Sequence, residues 1–91
     1  MRYRVSARFD RSLNRLDPPR KARVKDAVDR LVAAFETGQI VGGLGLKPLR
    51  PGLWELRAGL ADRVLFLRTD DLVEFLVVGN HDEIRRVLRS L

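Results

Sequence analysis

The sequence predicts a small α+β domain: an N-terminal strand and a helical hairpin packed on a mainly antiparallel sheet, closed by a short C-terminal helix. Three observations carry this. An alternating stretch opens the chain. A helical apolar stripe follows a double proline. Three strand-like runs, separated by turn residues, fill the second half.

The opening stretch places Tyr3, Val5, Ala7 and Phe9 on one side and Arg4, Ser6 and Arg8 on the other, the pattern of a half-buried strand. Asp10 is a suitable cap for a short helical segment from Arg11 to Leu16. A second helix starts at Asp17-Pro18-Pro19, with Asp17 as N-cap and the prolines in the first turn, where a missing N–H removes no bond. Val24, Val28, Leu31, Val32 and Phe35 then recur at i, i+4, i+7, i+8 and i+11, forming one apolar stripe. Gly38 supplies the left-handed stop.

Residues 39–52, QIVGGLGLKPLRPG, read as a connection punctuated by glycine and proline. No Gly-Lys-Ser/Thr follows those glycines, and no G-x-G-x-x-G opens a helix, so a nucleotide loop is not expected. Strands are expected at Leu53–Ala58, Arg63–Arg68 and Leu72–Val78, with turns at Gly59 and at Asp70-Asp71. Asn80-x-x-Glu83 has the form of a capping box. Behind it Ile84, Val87, Leu88 and Leu91 repeat at i, i+3, i+4 and i+7.

Composition narrows the partner class. Ninety-one residues, with 45% hydrophobic and 33% charged, suit one soluble domain over 1–91. A chain of this size buries only about 60–65% of its unfolded surface, enough for one modest core. The formal net charge is +6 and the pI about 11.0. That balance favours an anionic partner such as nucleic acid, an acidic protein or a membrane surface. There is no cysteine and a single histidine, so neither a disulfide framework, a clustered metal site nor a cofactor is expected. The N-terminus lacks the apolar core of a secretory signal, and no run approaches the roughly 18 apolar residues of a membrane span. A cytoplasmic protein is the expectation.

The chemistry-bearing residues concentrate after Lys47. From Lys47 to Arg68 there are five basic residues (Lys47, Arg50, Arg57, Arg63, Arg68) and two acids (Glu55, Asp62). If Trp54 and Leu56 face the core, Leu53, Glu55 and Arg57 share the other face. Arg57 is then either a solvated strand residue paired with Glu55 or half of a phosphate clamp with Arg63 across a hairpin. Asp62 beside Arg63 is available as its ion-pair partner. His81 falls in the first turn of the last helix, beside Asp82, and is either a surface histidine or a group suited to moving a proton. The N-terminal third, with ten basic and five acidic residues through Glu36, reads as an ordinary solvated surface.

The runs GLWELR, ADRVLF and VVGNHDEIRRVL, in this element order, resemble the RelE/ParE superfamily of bacterial type II toxin–antitoxin systems. The likeness extends over the whole chain in element order and favours the RelE branch. It implies a ribosome-dependent, metal-independent mRNA endonuclease that cuts in the ribosomal A site. There a ribose 2′-OH attacks the adjacent phosphorus and the 5′-oxygen leaves. On this resemblance Arg63 matches the strand arginine that binds the phosphate, and His81 the junction position that carries a basic or acid/base group. Lys47, Arg50, Arg57 and Arg68 would extend the RNA-binding surface. A cognate acidic antitoxin is the implied partner, in a hetero-oligomer, and the apolar residues Ile84, Val87 and Leu88 are its expected target. Two departures stand out. Asp62 occupies a position where tyrosine is common, and the last helix has no tyrosine, which shifts proton transfer onto His81. The alternatives are a ParE-like inhibitor that binds DNA gyrase without hydrolysis and an inactive toxin that only forms complexes.

Overall fold

The structure, a computed structural model, describes residues 1–39 and 43–91. Its elements run β1 (Arg2–Val5), α1 (Ala7–Asn14), α2 (Pro18–Thr37), β2 (Leu46–Arg50), β3 (Leu53–Ala58), β4 (Asp62–Thr69), β5 (Leu72–Gly79) and α3 (His81–Arg89). The strands form one sheet in the order β1-β5-β4-β3-β2. Only the β1–β5 pairing is parallel. The α+β architecture is the one expected, with one strand added and one shortened.

The shortened strand is β1. Its alternation ends at Ser6, whose hydroxyl accepts from the Phe9 amide at 3.0 Å and donates to the Leu76 carbonyl at 2.8 Å. Ser6, not Asp10, is therefore the N-cap, and the helix begins at Ala7 rather than Arg11. Phe9 is buried from the helix and meets Phe75 with ring centroids 5.7 Å apart. A serine that satisfies both the helix end and the neighbouring strand outweighs a seven-residue alternation.

The added strand is β2, inside the expected connection, whose residues 40–42 lie outside the described ones. Pro48 lacks the ladder donor that a central strand needs. At a sheet edge that loss is tolerated, and the register slips between Pro48 and Arg50. The other edge, β1, is guarded by charge: Arg2 pairs with Asp71 at 3.1 Å and Arg4 with Glu74 at 3.7 Å.

The remaining terminus signals hold. Asp17 accepts from the Arg20 amide, Pro18 and Pro19 sit in the first turn, and Gly38 stops α2 at φ 69°. Asn80 and Glu83 form the full capping box of α3.

The sheet carries apolar side chains on both faces. On one, Val24, Ala27 and Leu31 of α2 and Phe9 of α1 pack on Leu56, Val64, Phe66, Val73 and Phe75. On the other, Ile84 and Val87 of α3 pack on Leu53, Leu65 and Val77. Each such buried Val, Leu, Ile or Phe side chain contributes about 1.5–3 kcal/mol of transfer free energy. No helix among the described residues is long and apolar enough to cross a membrane.

Tyr3, the only tyrosine, donates to Glu36 at 2.6 Å and ties β1 to the end of α2. Burial, then the Glu36 hydrogen bond and charge, push its phenol up from 10.0 to about 12. The folded state thus holds this proton more tightly than the unfolded chain. The associated stability is present below pH 10.0 and is lost as pH rises toward about 12. Tyrosinate absorbance should show one transition, near pH 12 in the native protein and near 10 in denaturant. A native midpoint at the denatured value would show that the Tyr3–Glu36 bond does not form.

Candidate functional site

The β3–β4 hairpin brings the two strand arginines together. Arg57 and Arg63 are direct ladder partners, and Lys47 on β2 stands opposite Glu55. Paired residues on antiparallel strands share a face, so Lys47, Glu55, Arg57 and Arg63 cluster on the α3 side of the sheet. Two arginines directly opposite one another repel. One local carboxylate offsets this: Glu55 lies 3.3 Å from Arg63 Nε. Both side chains are largely enclosed, 14% exposed for Arg63 and 11% for Glu55. Arg57 is exposed and, among the described residues, makes no ion pair.

Arg63 is also incompletely satisfied. Its Nη1 is buried and has no hydrogen-bond partner in the protein. An orphaned buried donor costs about 1–3 kcal/mol, more when charged, and such groups in native structures call for an explanation. Two glycines shape the surroundings. Gly45, at φ 73°, accepts from the Arg57 amide at 3.0 Å, and a Cβ there would meet Arg57 Cβ at 2.9 Å. Gly79 is the ladder partner of Arg63, and a Cβ on it would meet Glu83 Cβ at 2.9 Å. Gly79 therefore lets the first turn of α3 close on the end of β5. His81 begins that turn and is exposed.

The other expected site residues separate. Arg50 donates to the Leu88 carbonyl at 2.8 Å and fastens the C-terminal end of α3 across the sheet. Arg68 lies on the opposite face, its guanidinium 5.0 Å from the Phe35 ring centroid, because it alternates in phase with Val64 and Phe66 rather than with Arg63. It does not extend the Arg57–Arg63 surface. Asp62 pairs with neither strand arginine: it is 2% exposed and receives both forks of Arg20, at 2.6 and 3.0 Å.

The apolar stripe of α3 is also not the free surface expected. Ile84 and Val87, 2% and 8% exposed, face the protein's own sheet, the default for an amphipathic helix. Leu88 is half-buried, and only Leu91 is open. Sequence reasoning missed Gly45, Gly79 and the buried role of Glu55. A glycine before a strand and a carboxylate two residues from an arginine were the available signals.

This architecture has solved counterparts. The crystal structure of a RelB–RelE antitoxin–toxin complex from Methanococcus jannaschii includes a chain that superposes with a TM-score of 0.71 at 14% identity, over 92% of this chain and 96% of that one.

The chain has the RelE/ParE toxin fold.

A YoeB/ParE toxin from Agrobacterium tumefaciens matches with a TM-score of 0.66 and 19% identity, over 89% of this chain and 99% of that one. The toxin–antitoxin complex RelBE2 from Mycobacterium tuberculosis matches at 28% identity with a TM-score of 0.57, over 88% and 96%. No family profile matches the sequence, and no curated protein matches it. Within the RelE/ParE fold, the strand carrying Arg63 is the central β4, and α3 crosses the face on which that arginine lies.

Proposed function

We propose that this chain is the toxin of a type II toxin–antitoxin system and cleaves mRNA in the ribosomal A site. One observation carries the proposal: a guanidinium nitrogen on Arg63 that has no hydrogen-bond partner among the described residues, directly across the ladder from Arg57, which is exposed and makes no ion pair among them. Phosphate oxygens are the natural acceptors for that fork, since guanidinium donors match their geometry and stay charged.

In the reaction, the 2′-OH loses its proton as its oxygen bonds to the adjacent phosphorus. The bond from phosphorus to the 5′-oxygen breaks, and that oxygen takes up a proton. Arg63 and Arg57 would hold the phosphate and offset charge on its oxygens in the transition state. Lys47, on the same face, would steer the strand. His81, at the strand-to-helix junction beyond Gly79, would move a proton.

An acidic antitoxin would neutralise this surface, and two of the three structures named above are antitoxin–toxin complexes. Its apolar contact on α3 would be the outer edge at Leu88 and Leu91. A second function, ParE-like inhibition of DNA gyrase without hydrolysis, is favoured by the lack of a phenol in α3. The only tyrosine is bonded to Glu36 on β1's side of the molecule.

Induction without an antitoxin distinguishes the two. Endonuclease action should stop protein synthesis quickly and leave transcripts cut within coding regions. Filamentous cells with damaged DNA and intact mRNA would replace it with the gyrase function.

A further inference from the structure

A groove among the described residues is lined by neither Arg57 nor Arg63, although it borders Gly79, the ladder partner of Arg63. It has a volume of about 550 Å³ and lies between α1 and α3, along the backbone of Val77, Val78 and Gly79. Five arginines line it: Arg8, Arg11, Arg15, Arg20 and Arg86. Arg20 is committed to Asp62. Among the described residues, the other four are exposed and make no ion pair. The one acid in the wall, Glu83, is engaged by the Asn80 amide at 3.0 Å in the capping box.

The groove exists because β1 stops at Val5 and the chain turns into α1 beside β5. That helix sets Arg8 and Arg11, with Arg15 as its C-cap in right-handed helical backbone, at i, i+3 and i+7, on one side. The edge of β5 they overlook is already satisfied: Ser6 donates to the Leu76 carbonyl, and the Ser12 hydroxyl accepts from the Val78 amide at 2.9 Å. A partner strand therefore finds no free ladder here. Of the apolar residues in the lining, Val77, Val78 and Val87 are buried and Leu16 is half-buried. A folded protein partner would therefore find one partly exposed leucine as an apolar anchor, against four exposed arginines.

We propose that Arg8, Arg11, Arg15 and Arg86 form a second, sequence-independent binding site for the phosphodiester backbone of double-helical RNA. The choice of RNA rests on the mRNA function proposed above; the site itself rests on the groove. The stripe from Arg8 to Arg15 spans about 10 Å at 1.5 Å per residue, over which a duplex presents about six phosphate charges at one per ~1.7 Å. With no aromatic in the lining, the groove offers bases no stacking platform, and contacts to phosphate position without specifying.

The test is binding of a fluorescent RNA duplex to the purified chain across a salt series. The triple variant Arg8→Gln/Arg11→Gln/Arg15→Gln is compared with Arg30→Gln, whose arginine pairs with Asp26 on the outside of α2. The triple variant should bind at least about tenfold more weakly at moderate salt. Its log K against log salt slope should fall by about two to three, at roughly 0.7–0.9 for each phosphate no longer neutralised. Arg30→Gln should change neither. An unchanged slope, or no duplex binding by the native chain, overturns the proposal. So does loss of polyglutamate binding with duplex binding intact, which would assign the groove to an acidic protein. Duplex binding requires no cleavage, so a chain that binds through the groove yet leaves mRNA uncut keeps this site and loses only the endonuclease function.

Discussion

Arg63→Ala is expected to abolish growth inhibition when the chain is produced without its antitoxin. A charge-assisted phosphate contact contributes about 1.5–3 kcal/mol where charge develops, which corresponds to roughly a ten- to hundredfold loss of cleavage rate. The same change leaves Glu55, whose side chain is 11% exposed, without its partner. Some instability is therefore expected, and toxicity alone would not separate lost chemistry from lost fold. Arg63→Ala combined with Glu55→Ala removes both charges, so no buried carboxylate is stranded. That double variant should melt as a folded protein and remain non-toxic. Full toxicity in it would end the role assigned to Arg63.

Arg20→Ala is expected to be strongly destabilising, although it lies away from the arginine face. It strips both donors from Asp62, which is 2% exposed and sits at the start of β4, immediately before Arg63. A buried carboxylate left without a counter-charge should lower the melting temperature by on the order of 10 °C. Asp62→Ala should be milder. It leaves a guanidinium whose side chain is already 39% exposed and can turn to water. Thermal melts of both variants at neutral pH test the asymmetry, and the reverse order would show that the pair does not secure α2 to β4. Replacing both residues with leucine should recover much of the loss, because an apolar pair carries no desolvation penalty.

Local signals in the sequence were sufficient for most elements. Asp17 with two prolines, Gly38, and Asn80 with Glu83 marked helix ends because each bonds or shapes backbone within four residues of itself. Alternation in LWELR put Leu56 and Arg57 on opposite faces, since side-chain period is a property of one strand, and the packing of α2 fixes which face is which. The Arg57–Arg63 pairing was one of two arrangements open to a short hairpin, and the strand register decides it.

What the sequence could not determine depends on partners distant along the chain. Ser6 caps α1 partly because Leu76, seventy positions on, accepts from its hydroxyl. Pro48 lies in a strand only because that strand is at an edge. Ile84 and Val87 look like a docking stripe until the sheet they cover is present. Asp62 stands next to Arg63 in sequence but belongs to Arg20, forty-two positions away. The groove arginines were hidden for a related reason. Read as part of a strand, Arg8 points away from Arg11 and Arg15; wound into α1 and set beside Arg86, all four face one cleft. Local periodicity decides which side of an element a residue occupies, whereas the long-range packing of elements decides what that side meets.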